Sequence, residues 1–142
     1  MRYILLCLGI LFFLKMYAPT VLYTQEDLAV YEKVMQLMES VREEPMQVRV
    51  ATAAKAMLGV PYVAGTLDKQ SENVKKNKWN EQLIVSLAGT DCILLVEACV
   101  GMALTAGQED RSFEAFCRNL QLLRYRAGVI DGYASRLHYT SE

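Results

Sequence analysis

The stretch GTDCILLVEACVGMALT, residues 89–105, decides the fold. Gly89 and Thr90 break the apolar run that precedes them, and Asp91 carries the short carboxylate suited to capping a helix. From Cys92 to Thr105 the chain is continuously apolar except for Glu97, which predicts a largely buried helix that begins at Asp91 or Cys92. Gly107 ends it. The unpaired N–H groups of a helix N-terminus favour an anion, so a cysteine in the first turn is favoured as the nucleophilic thiolate. The Cys92 amide and its neighbours are also placed to face the oxyanion of an acyl transfer. Read alone, these residues favour a structural cysteine packed in an apolar helix, which is the commoner case.

Working outward, Thr24 followed by Gln25, Glu26 and Asp27 has the form of a helix start, a capping hydroxyl with acidic residues in the first turn. Leu28, Tyr31, Val34, Met35 and Met38 recur at helical spacing and predict an amphipathic helix that stops near Glu44, ahead of Pro45. Its methionines read as core filler. An alanine-rich helix is expected from Met46 to Leu58, with Gly59 as its left-handed cap. Val60 to Ala64 reads as a short extended segment. The polar stretch from Thr66 to Asn80, including Lys75, Lys76 and Lys78, reads as a solvated loop. Gln82 to Leu87 fits a strand or a helical turn. Ser112 caps a further helix carrying Phe113, Phe116, Leu120 and Leu123, and no regular element is assigned from Gly128 to Tyr139.

Composition sets the class. The chain has 142 residues, of which 53% are hydrophobic and 22% charged, with a formal net charge of −1. This is a globular protein of at most one domain, without the basic footprint of a nucleic-acid binder. At the N-terminus, Arg2 precedes an apolar run from Tyr3 to Leu14 that Lys15 stops. The run is about 12 residues against the roughly 20 of a spanning helix, so 1–20 is expected to be an export signal rather than an anchor. Cys7 lies too early in it for lipidation. Export implies an oxidising compartment. Cys92 and Cys99 on one helix would stand about 10.5 Å apart, too far for a disulfide. Cys99 and Cys117 are expected to be small buried apolar residues.

The string Leu58-Gly59-Val60-Pro61-Tyr62-Val63-Ala64-Gly65, then after a gap Asp91-Cys92 opening an apolar helix, resembles the NlpC/P60 pattern of "LGxPYxxGG" and a later "DCSGFV". A closer resemblance is to the branch of that superfamily known as domain of unknown function 1460. It is carried by GVPYVAGTL at 59–67, EQLIVSLAGTDCILLVE at 81–97 and GVIDGYASRLHYTS at 128–141. The chain departs from the pattern in having Ile93, Leu94 and Leu95 where a hydroxyl residue and an aromatic are usual.

The resemblance implies an α+β, papain-like fold, here its helical N-terminal half over 24–142 with the start of an antiparallel sheet. It implies a cysteine-dependent amidase that cuts the bond between N-acetylmuramic acid and L-alanine in peptidoglycan fragments, with Cys92 as nucleophile and Tyr62 beside it. Arg136, His138 and Tyr139 are expected at the substrate, or else as packed residues. The family's catalytic histidine lies in a later "HxG" stretch, so the chain reads as C-terminally truncated; the Tyr139 to Glu142 end has the form of a helix cap with nothing after it. No cofactor or metal is implied. The expected protein is a monomer exported to the periplasm or envelope of a Gram-negative bacterium. Two alternatives stay open: an endopeptidase cutting between D-glutamate and a diamino acid, and an inactive fragment.

Overall fold

The computed structural model describes residues 21–67 and 81–137. The expected export signal at 1–20, most of the polar loop at 66–80, and the expected cap at 139–142 lie outside the described residues. Strand β1 (Val21–Leu22) leads into helix α1 (Gln25–Met38), which tightens into a 3-10 turn over Glu39–Val41. Helix α2 (Met46–Ala56) follows, then strand β2 (Leu83–Ile84), helix α3 (Cys92–Ala106) and helix α4 (Phe113–Arg124). Two short 3-10 turns, Arg126–Gly128 and Tyr133–Ser135, close the described part.

The local signals produce these elements directly. Thr24 and Asp27 form a reciprocal capping box at the start of α1, and Ser112 accepts from the Ala115 amide at the start of α4. α2 ends at Ala56, and Gly59 takes a positive φ of 89°, the left-handed geometry expected of the cap region.

Helix α3 is the hub, packing against both α2 and α4, with α1 also against it. Its Ala98, Cys99, Met102, Ala103 and Ala106 meet Met38, Ala53, Met57, Phe116 and Leu120 in one core. Tyr31 stacks on Phe116 at 5.1 Å between centroids, and its hydroxyl donates to the carbonyls of Arg111 and Ser112, which fixes α1 to the start of α4.

The sheet departs from expectation. β1 and β2 pair in parallel, Val21 with Leu83 and Leu22 with Ile84, rather than antiparallel. The connection through α1 and α2 supplies the long crossover that parallel pairing requires. An isolated antiparallel bridge joins Tyr125 to Arg136. The fold is thus α+β, mostly helical with a small sheet among the described residues.

Candidate active site

Cys92 is the first residue of α3 and is exposed, whereas Cys99 and Cys117 are buried free thiols. Burial pushes the thiol of Cys99 up, and that of Cys117 up to about 12, which keeps both protonated and inert. The Asp91 carboxylate accepts from the amides of Ile93 at 3.0 Å and Leu94 at 2.9 Å. Among the described residues the Cys92 amide then has no acceptor. An exposed sulfur and an unused N–H on one residue, at the positive end of a 15-residue helix, can attack a carbonyl and receive the oxygen anion that forms.

Three separate segments fix this helix start. First, the extended segment at Tyr62 bridges to Thr90 in parallel: Thr90 donates to the Pro61 carbonyl and Val63 donates to the Thr90 carbonyl, both at 3.0 Å. Gly89 permits the approach, because a Cβ there would stand 2.9 Å from the Val63 Cγ2 methyl. Second, Val85 donates to the Leu22 carbonyl at 2.8 Å, extending the β1–β2 pairing toward the site. Third, the buried Asp27 carboxylate accepts from the amides of Leu87 at 2.6 Å and Ala88 at 2.9 Å. Burial alone would raise the Asp27 pKa, but the Ala88, Thr24 and Leu87 amides and the Thr24 hydroxyl outweigh it and hold the carboxyl below its ordinary 3.8.

Of the residues singled out from the sequence, the structure brings Tyr62 to the segment that immediately precedes Cys92. Its ring is 71% exposed, and Val63, Ile93 and Val96 are also exposed apolar residues. The hydrophobic Ile93 therefore adds to an apolar surface at the helix start and does not bury the thiol.

Arg136 is placed differently. It is 5% exposed, its Nε donates to Glu81 Oε1 at 3.0 Å, its Nη2 donates to the same oxygen, and its guanidinium stands 5.2 Å from the Tyr133 ring centroid. Glu81 thus supplies Arg136 with a buried carboxylate partner from within the chain. Tyr125 donates to the same Glu81 oxygen at 3.0 Å; burial and the adjoining carboxylate raise its phenol pKa. His138 and Tyr139 lie outside the described residues.

Two long-range pairings were not legible in the sequence. Asp27 reads from the sequence as a cap acid only, and nothing near it announces a bond to residues 60 positions away. Glu97 stands out as the one charge in α3, yet its partner, Arg124, is the last residue of α4 and gives no local sign of being buried.

Comparison with known proteins adds to the geometry. The family model described as AmiA-like, N-acetylmuramoyl-L-alanine amidase-like, matches residues 52–142, which include Tyr62, Asp91, Cys92 and Arg136. Two crystal structures of an N-acetylmuramoyl-L-alanine amidase from Bacteroides uniformis ATCC 8492 are similar at 38% identity, with TM-scores of 0.56 and 0.55. Each comparison covers 68% of this chain and 36% of the solved one. A Bacteroides fragilis structure provisionally named a xylanase is similar at 40% identity and a TM-score of 0.50, over 63% of this chain and 36% of that one. No curated protein matches. This chain thus spans about a third of the length of the solved relatives. On the family match over residues 52–142, the chain belongs to the AmiA-like family of N-acetylmuramoyl-L-alanine amidase-like proteins.

Proposed function

We propose that this chain carries the nucleophile half of a cysteine-dependent amidase of the papain-like NlpC/P60 type. Its substrate is a peptidoglycan fragment, and the bond cut joins N-acetylmuramic acid to L-alanine. The observation that carries the reading is the exposed Cys92 on the first residue of α3, with Asp91 holding the two following amides and leaving that of Cys92 for an oxyanion.

The chemistry follows from those groups. The Cys92 sulfur attacks the lactyl carbonyl of muramic acid, and a C–S bond forms as the carbonyl oxygen takes the negative charge beside the Cys92 amide. Collapse breaks the C–N bond, and the amine of L-alanine leaves with a proton returned by the base that first took the thiol proton. Water then hydrolyses the thioester, freeing the lactyl carboxylate and restoring the thiol. The resemblance to domain of unknown function 1460 assigns the base to the histidine of an "HxG" stretch. His138 belongs instead with Tyr62 and Tyr139 at the substrate, and Arg136 supports the segment that leads to them. In this reading the protein works as an exported monomer in the cell envelope of a Gram-negative bacterium.

The test is digestion of defined muropeptides, with the products weighed by mass spectrometry and Cys92→Ala as control. Release of the sugar from a peptide that begins with L-alanine, lost in the variant, supports the reading. Products that keep the sugar joined to alanine would replace it with the endopeptidase, and no turnover even when the chain is joined to an "HxG" segment that supplies the base would favour the inactive fragment.

A further inference from the structure

We infer that Asp27 is a positioning residue for Cys92, acting through the loop that delivers the sulfur to the start of α3. The inference rests on Cys92 being the nucleophile, and extends the site to a residue before the matched segment 52–142.

The two oxygens of Asp27 do separate jobs. Oδ2 accepts from the Thr24 amide and hydroxyl, each at 2.8 Å, which completes the cap of α1. Oδ1 leaves α1 altogether and takes the amides of Leu87 and Ala88 at 2.6 and 2.9 Å. Those amides lie at the turn between β2 and α3, four and five residues ahead of Cys92, where Ser86 also donates to the Gly89 carbonyl. A helix cap needs only the first set of bonds. The second set serves the loop: a buried, charged acceptor with two short backbone bonds holds a segment more stiffly than neutral partners would.

The effect on the sulfur follows geometrically. With residues 87 and 88 fixed, Gly89 and Thr90 meet the Pro61 to Val63 segment, and Asp91 is aimed to cap α3. If 87 and 88 drift, the Asp91 cap and the sulfur lose their common alignment with the helix axis. Since Cys92 is already exposed, loosening brings no gain in access and removes the amides that favour the thiolate.

Thr24→Ala provides the control, because it removes the hydroxyl bond to Oδ2 and the hydroxyl that accepts from the Asp27 amide, and leaves both Oδ1 bonds untouched. The experiment compares the rate of Cys92 alkylation by iodoacetamide at neutral pH in the parent chain, Thr24→Ala, Asp27→Ala and Asp27→Asn, each held under conditions where it is folded by circular dichroism.

Asp27→Ala is expected to slow alkylation roughly tenfold, the scale of losing hydrogen bonds to a charged group. Asp27→Asn, whose amide oxygen can still accept, should recover most of the rate and remain about threefold slow, and Thr24→Ala should stay within about twofold of the parent. An Asp27→Ala rate equal to or above the parent's overturns the inference, as does an equal loss in Thr24→Ala. If Asp27→Ala does not fold, Asp27→Asn decides: a rate equal to the parent's overturns it. Failure of the underlying reading looks different, because the parent's own Cys92 would then alkylate no faster than a cysteine in an unfolded peptide.

Discussion

Glu97 and Arg124 face each other in the core between α3 and α4, with Arg124 Nε and Nη2 both 2.8 Å from Glu97 Oε2 and Arg124 only 2% exposed. The third arm, Nη1, donates to the Ile84 carbonyl at 2.5 Å, so one guanidinium joins α4, α3 and β2. Removing either partner leaves a buried charge, and Glu97→Leu or Arg124→Met alone should cost about 3–5 kcal/mol. The double replacement should recover most of that loss and keep a residual cost of about 1 kcal/mol for the orphaned Ile84 carbonyl. Urea titration of the four proteins measures the coupling, and additive single losses would contradict a dry pair.

Asp91→Ala should destabilise the chain by about 1 kcal/mol, the usual worth of an N-cap. It should also slow Cys92 alkylation, because the first turn of α3 frays. Asp91→Asn retains an acceptor and should lie between the two. Thermal melts and labelling rates measured on the same samples separate the stability loss from the loss of thiol reactivity.

Tyr62→Ala should change stability by no more than about 0.5 kcal/mol, because the residue is 71% exposed. In the proposed reaction the same substitution should raise KM for a muropeptide. Unchanged kinetics would remove Tyr62 from the substrate surface.

Asp27 gives a pH signature with a definite sign. Its folded pKa lies below 3.8, so its contribution to stability is complete above about pH 4 to 5 and is lost as pH falls through the folded value. Asp27→Asn lacks that contribution. The stability gap between parent and variant should be flat from neutral pH down to about pH 5 and should narrow below about pH 4. Chemical denaturation across that range reads it; a gap that widens on acidification would mean that the carboxyl is protonated in the folded chain.

Iodoacetamide applied to the folded chain should modify Cys92 and spare Cys99 and Cys117, whose burial keeps them as thiols. Both should label once denaturant is added. Peptide mass mapping before and after unfolding distinguishes the three.

The helices were legible because their determinants are local. Thr24, Ser112 and Asp91 cap residues only two or three positions ahead, and Gly107 stops α3 where expected. The candidate nucleophile was legible for the same reason, being one residue from its cap. The strands were legible only in part: Gln82 to Leu87, which holds β2, fitted a strand or a helical turn, while two residues each is too short for an alternating pattern and their pairing direction has no local signal. Arg136 was left open between substrate and packing because its arginine chemistry suits a ligand carboxylate and an internal one alike, and Glu81, 55 residues earlier, supplies an internal one. Asp27 escaped notice because one of its oxygens satisfies the local cap signal and conceals the long-range task of the other.

The grip of Pro61 and Val63 on Thr90, and of Asp27 on the turn before it, has a consequence for how the protein comes into being. Each of these contacts closes a loop of the chain, and such closures form late because their entropy cost precedes any reward from packing. α1, α2 and α3 can each wind early from local signals, but the sulfur of Cys92 reaches its place only when distant segments have met. The placing of that sulfur at the helix start is therefore among the last events of folding, completed only when the tertiary structure has closed.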